Sequence, residues 1–148
     1  MIAHNKPTLG IQEQHAVSKV LESGYIAQGE EVEKFENELC DFLGLPEQHA
    51  VALSSGTSAL FMALWSLEAK NKFIAMPVYV CSSLRNAVAM SNAKEVLIDN
   101  TKDSPNISLN EVQKSNADIV IVPHMFGLPN EIQNIKDIDI IEDCAQSL

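Results

Sequence analysis

Ser54-Ser55-Gly56-Thr57-Ser58-Ala59-Leu60 joins a short apolar run to a helical stretch. A glycine there lets the backbone approach an anion, and the first N–H groups of the following helix have no internal partners. With the helix dipole these groups make a phosphate site, to which Thr57 adds a hydroxyl; the same residues also read as a Ser/Thr N-cap on a short turn. Without a Gly-Lys-Ser/Thr ending the segment is not a P-loop, and it is not a GxGxxG fingerprint. Asp143 follows the apolar run at Ile138-Asp139-Ile140-Ile141. A carboxylate at a strand's carboxyl end holds a protonated ring nitrogen or a metal, orients a base, or is simply solvated. Gln146 offers both a donor and an acceptor. Tyr79 and Cys81 end the run Phe73–Val80, where an aromatic ring stacks on a flat cofactor or packs in the core. His124 closes a fourth run, and alone reads as a hydrogen-bonded structural histidine before a catalyst.

The elements that must position these groups alternate. Helical spacing marks Ile11–Glu22 and Glu30–Leu43, with Ser23-Gly24 and Gly44 as stops. Leu60, Phe61, Leu64 and Leu67 mark a third helix, and Ser82–Met90 and Leu109–Ser115 two more. Ser108-Leu109-Asn110-Glu111 has the form of a capping box. Strands are expected at Ala50–Leu53, Phe73–Val80, Glu95–Ile98, Asp118–Val122 and Ile138–Ile141. Their continuous apolar character suits burial on both faces, as in a parallel sheet between helices. The fold class is therefore α/β, with a largely parallel sheet and flanking helices. In such sheets functional groups gather at the carboxyl ends of strands.

Composition narrows the partners. The chain has 148 residues, 46% of them apolar, which favours one globular domain with one core. Ten Lys+Arg stand against twenty Asp+Glu, for a net charge of −10, and Arg85 is the only arginine. That balance offers no basic surface for nucleic acid. No apolar run is long enough for a membrane span, and the first residues do not read as a secretory signal. Cys40, Cys81 and Cys144 are odd in number and widely spaced, which suits a reducing cytoplasm better than a disulfide framework or a zinc site. The four histidines are equally scattered, so no metal site is read.

Taken in series, four segments resemble the DegT/DnrJ/EryC1/StrS sugar aminotransferases. They are Gly24-Tyr25-Ile26-Ala27-Gln28-Gly29 with Glu31, Phe35 and Glu36; Ser54–Leu60; Pro123-His124-Met125-Phe126-Gly127-Leu128-Pro129; and Glu142-Asp143-Cys144-Ala145-Gln146-Ser147. The resemblance implies a fold-type-I pyridoxal-phosphate transferase that moves an amino group from glutamate to a keto group on a nucleotide-linked sugar. It implies that Ser55, Gly56 and Thr57 hold the cofactor phosphate, Asp143 pairs with the pyridinium nitrogen and Gln146 lies by the ring hydroxyl. Tyr25 and Gln28 would help line the substrate entrance. The family's ring-stacking aromatic falls on Cys81 here, with Tyr79 two residues earlier, so either residue is a candidate for the ring face.

The Schiff-base lysine of the family lies beyond the Glu-Asp-x-Ala-Gln motif, whereas the last lysine here is Lys136. No catalytic residue is therefore identified. The resemblance implies that residues 1–148 correspond to the first part of a large domain, without its later strands and the small C-terminal domain. A cytoplasmic homodimer is expected, since family members build their site across a two-fold interface. The dehydratase branch of the family, which carries histidine in place of the lysine, remains open. Two other classes compete. One is a non-catalytic module that binds a phosphate ligand or a partner, and it predicts a well-covered last strand. The other is an unrelated nucleotide-binding α/β domain, which needs an acidic residue after the second strand for a ribose; none is identified.

Overall fold

A computed structural model describes residues 6–147. They form two compact units, one ending at Ala52 and one beginning at Leu53.

The first unit carries α1 (Ile11–Ser23) and α2 (Glu30–Leu43), at nearly the bounds that helical spacing predicts. The Gly10 N–H donates to Glu13 Oε2 at 2.6 Å, satisfying an otherwise orphan donor at the entrance to α1. Glu30, Glu31 and Glu33 crowd the first turn of α2, where the positive end of the dipole favours them. Both helices stop at glycines in the left-handed region, Gly24 at φ 71° and Gly44 at φ 66°. Cys40 is the buried residue of α2, and α1 buries none.

The second unit contains α3 (Gly56–Ser66), β1 (Phe73–Pro77), α4 (Ser82–Met90), β2 (Lys94–Ile98), α5 (Leu109–Lys114), β3 (Ile119–Pro123) and β4 (Asp139–Asp143). The four strands form one sheet in the order β2-β1-β3-β4, every pair parallel. Alternation of side chains along each strand divides the core in two. On one face Ile74, Met76, Ile119 and Ile121 pack with Leu60 and Leu64 of α3 and Leu84, Ala87 and Val88 of α4. On the other, Ala75, Val120 and Val122 meet Ile107, Val112 and Ala117. Each Val, Leu, Ile or Met side chain among them contributes about 1.5–3 kcal/mol of transfer free energy when fully buried. The parallel α/β architecture is the one the apolar runs predict.

Three expectations fail locally. Ala50–Leu53 is extended but forms no strand: among the described residues nothing offers it a ladder, Val51 is 73% exposed, and the Ala52 N–H donates to Glu36 Oε1 at 2.6 Å instead. β1 ends at Pro77 rather than Val80; after one more bond, Val78 N–H to Ile98 O at 2.9 Å, the chain leaves the sheet. The capping box before α5 does not form. Ser108 N–H is already taken by Asp99 O at 3.0 Å, and Glu111 pairs with Lys114 at 3.0 Å.

Candidate functional site

Because β1–β4 run the same way, their carboxyl ends share one edge, and Asp143 is the last residue of β4. The start of α3 belongs to that edge as well. Its last residue, Ser66, lies a few residues before β1 begins at Phe73, so its carboxyl end faces the opposite edge. Eleven helical residues span about 16 Å, the height of a five-residue strand, which returns Gly56 to the side of Asp143. α3 packs on α4 and touches β4.

Ser55 caps α3: its Oγ accepts the Ser58 N–H at 3.2 Å, while Ser55 O accepts the Ala59 N–H at 3.0 Å. The N–H groups of Gly56 and Thr57 thus remain as the free donors of the first turn. A Cβ built on Gly56 meets nothing within 4 Å, so no protein atom requires a glycine there. The N-cap reading is observed, and it leaves the two donors that the anion reading needs.

Asp143 Oδ1 accepts the Ala145 N–H at 3.1 Å, and its carbonyl accepts the His124 N–H at 3.1 Å. Cys81 sits at the N-cap of α4, beyond the end of β1. The Ser83 hydroxyl and N–H hold its thiol below the ordinary range, and the negative charge of Asp143 opposes them, so the two side chains feel each other. Burial pushes the Cys144 thiol up, with Glu142 and Asp143 adding to the effect. Tyr79 is 61% exposed, which removes the core-packing alternative. Gln146 is exposed and its Oε1 accepts the Phe126 N–H at 2.6 Å. Ser55, Gly56, Thr57, Tyr79, Cys81, Asp143 and Gln146 therefore all belong to the second unit, at or just beyond that edge.

Tyr25 and Gln28 belong to the first unit. The Tyr25 hydroxyl donates to Gln28 O at 3.2 Å, and its ring lies 2.4 Å from where a Cβ on Gly29 would stand. Gln28 Nε2 donates to Ala52 O at 3.4 Å. A glycine here lets the ring approach the backbone closely, and a Cβ would displace it.

His124 is structural, as read. It is 6% exposed and bonded through both ring nitrogens, to Glu142 Oε2 and to the Asn130 N–H, each at 2.9 Å. Asn106 and Asn130 escape the sequence reading, and Phe126 enters it only as a member of the Pro123–Pro129 segment. Nothing in the type or spacing of Asn106 marks it as the partner of a turn twenty residues on.

Among the described residues no helix is long and apolar enough to cross a membrane, and no group of three His, Cys, Asp or Glu is placed to hold a metal.

Solved structures share this fold. DesV from S. venezuelae, in complex with a ketimine intermediate, is 27% identical, with a TM-score of 0.83 over 92% of this chain and 39% of its own. An aminotransferase from Psychrobacter cryohalolentis is 25% identical, with a TM-score of 0.87 over 96% of this chain and 38% of its own. The E. coli GDP-4-keto-6-deoxy-D-mannose-3-dehydratase with bound hydrated PLP, at 23% identity, shares the fold with a TM-score of 0.83 over 93% of this chain and 39% of its own. This chain thus spans about two fifths of the length of each. The family profile of the DegT/DnrJ/EryC1/StrS aminotransferases matches residues 7–148, and to that family the chain belongs.

Proposed function

We propose that this chain forms the cofactor-holding part of an enzyme that transfers an amino group from glutamate to a keto group on a nucleotide-linked sugar. The observation that carries the reading is the free pair of N–H donors at Gly56 and Thr57 on the same sheet edge as the Asp143 carboxylate. Pyridoxal 5′-phosphate has a dianionic phosphate at one end and a basic ring nitrogen at the other, and these two features complement it. The open space over Gly56 gives the phosphate room. Bound there, the cofactor supplies an electron sink, most effective with its ring nitrogen protonated.

Each residue then has a task. The Gly56 and Thr57 N–H groups and the Thr57 hydroxyl, with Ser55 fixing the turn, bind the phosphate. Asp143 holds the proton on the ring nitrogen. Gln146 serves the ring hydroxyl. Tyr79 or Cys81 lies against the ring face. Tyr25 and Gln28 contribute to the sugar's entrance, and the working form is a cytoplasmic homodimer.

The amine that would anchor the cofactor is not supplied by the second unit. Lys70 and Lys72 precede β1, Lys94 opens β2, Lys114 ends α5 ahead of β3, and Lys136 precedes β4, all toward the opposite edge. Lys102 follows β2, three positions across the sheet from β4, a separation of about 14 Å. With none of these six lysines placed beside Asp143, the second unit is expected to hold the cofactor reversibly.

Titration with pyridoxal 5′-phosphate tests the reading. Gly56→Val places its side chain in space free of protein atoms, so the variant folds, and it is expected to lose tenfold or more in affinity. Asp143→Ala loses a comparable amount. Unchanged affinity in folded Gly56→Val removes the phosphate site. Borohydride fixation at one lysine, or turnover abolished by Asp143→Ala, shows instead that the chain contains its own anchoring base.

A further inference from the structure

Around the turn that follows β3, each polar contact fixes which atom donates. The Asn130 N–H lies 2.9 Å from His124 Nδ1, so that nitrogen carries no proton. The ring hydrogen is then on Nε2, where it donates to Glu142 Oε2 at 2.9 Å. Asn106, also buried, accepts the Met125 N–H on Oδ1 at 3.0 Å and donates from Nδ2 to Leu128 O at 2.9 Å. Asn130 Nδ2 donates to Pro123 O at 3.0 Å. Among the described residues no fully buried side-chain nitrogen or oxygen is left without a partner.

The turn held in this way keeps Phe126 at φ 55°, ψ 29°, a left-handed conformation that disfavours any residue with a Cβ. Burial of the ring does not compensate, since Phe126 is exposed. The conformation's one evident product is the direction of the Phe126 N–H, which points at Gln146 from 2.6 Å. An N–H only donates, so the atom facing it is the amide oxygen, and the Gln146 NH2 is turned away as a pair of free donors. The His124 N–H meanwhile ties the same turn to the Asp143 carbonyl.

We propose that the His124–Asn130–Asn106 cluster is a positioning device that commits Gln146 to hydrogen-bond donation toward an anionic oxygen of the cofactor, with His124 as the positioning residue. The inference rests on the cofactor reading above. Without the cluster, Gln146 can present oxygen or nitrogen to a ligand; with it, only nitrogen. Ligands that accept at this point are selected over those that donate.

The test uses the full chain and 4-deoxypyridoxine 5′-phosphate, which keeps ring and phosphate but lacks the aldehyde that surface lysines capture. Gln146→Glu retains an oxygen for the Phe126 N–H and replaces the donor by a second acceptor. It is expected to weaken binding about tenfold while the Phe126 amide keeps its downfield proton shift. His124→Ala moves that amide shift upfield and weakens binding to a similar extent. His124→Asn, whose Oδ1 falls near the place of Nδ1, restores both in part. Should His124→Ala fail to fold, the unaltered chain decides: long-range proton–nitrogen spectra must show the Nε2–H tautomer. An Nδ1–H tautomer, or full affinity in Gln146→Glu, overturns the proposal. A chain that binds no probe at all overturns the cofactor reading and the donor role with it, and that result is distinct from a cluster wrongly described, which the tautomer and the amide shift report by themselves.

Discussion

The two units have similar helices and different cores. α1 carries Ile11, Val17 and Leu21 at helical spacing, yet all three are exposed, and Cys40 is the buried residue of α2. In the second unit Ile74, Met76, Ile119, Ile121 and Val122 have no exposed surface. Periodicity therefore fixes a helix and the face it would bury, while burial itself depends on a second layer being there to receive that face. In the second unit the sheet is that layer on both sides. The candidate cofactor residues stand on this packed unit, and the candidate substrate residues, Tyr25 and Gln28, on the lightly buried one.

The sharpest way to break the comparison is a matched pair of truncations. Ile121→Ala removes a fully buried side chain between two helices and the sheet, and is expected to destabilise the second unit by about 3 kcal/mol. Leu21→Ala, at an exposed site in α1, is expected to stay within about 0.5 kcal/mol. Amide exchange followed residue by residue separates the two units. Equal losses at both positions mean that the apolar face of α1 is as buried as the core.

A smaller effect probes the first unit where it is most specifically packed. Gly29→Ala puts a methyl group 2.4 Å from the Tyr25 ring, displacing it and breaking its hydroxyl bond to Gln28 O. A loss of about 1 kcal/mol and a change in the Tyr25 ring resonances are expected. An unmoved ring shows that Gly29 is not there for close approach.

The smallest effect is electrostatic. Arg85 meets Glu95 through two bonds of 2.9 and 2.7 Å and holds its carboxyl below the ordinary value of 4.5. A depressed carboxyl stabilises the fold above its unfolded pKa, and that contribution is lost as pH falls through the folded value. Stability of the second unit should therefore drop below about pH 4.5, only slightly because water screens so exposed a pair, and Arg85→Ala should flatten that drop. An identical acid profile in the variant assigns the drop to other carboxylates.

The sequence by itself determined the elements and their class. The 3.6-residue spacing of Val32, Phe35, Leu39 and Leu43 makes α2 whatever surrounds it, and Ile119-Val120-Ile121-Val122 makes a strand fit for burial on both faces. These are local properties of backbone and side chain, legible in order along the chain. Ser55-Gly56-Thr57 and Asp143 were legible too, because a strand end and a helix start are themselves local features. Tertiary structure decided the rest. Ala50–Leu53 has the composition of a strand and is none among the described residues, since a ladder is a property of two segments. The partnership of Asn106 with Met125 and Leu128, the pairing of His124 with Glu142 and the direction of the Gln146 amide all depend on hydrogen bonds between residues about twenty apart. No spacing rule encodes them: which donor meets which acceptor is set only when the sheet brings the ends of β3 and β4 side by side.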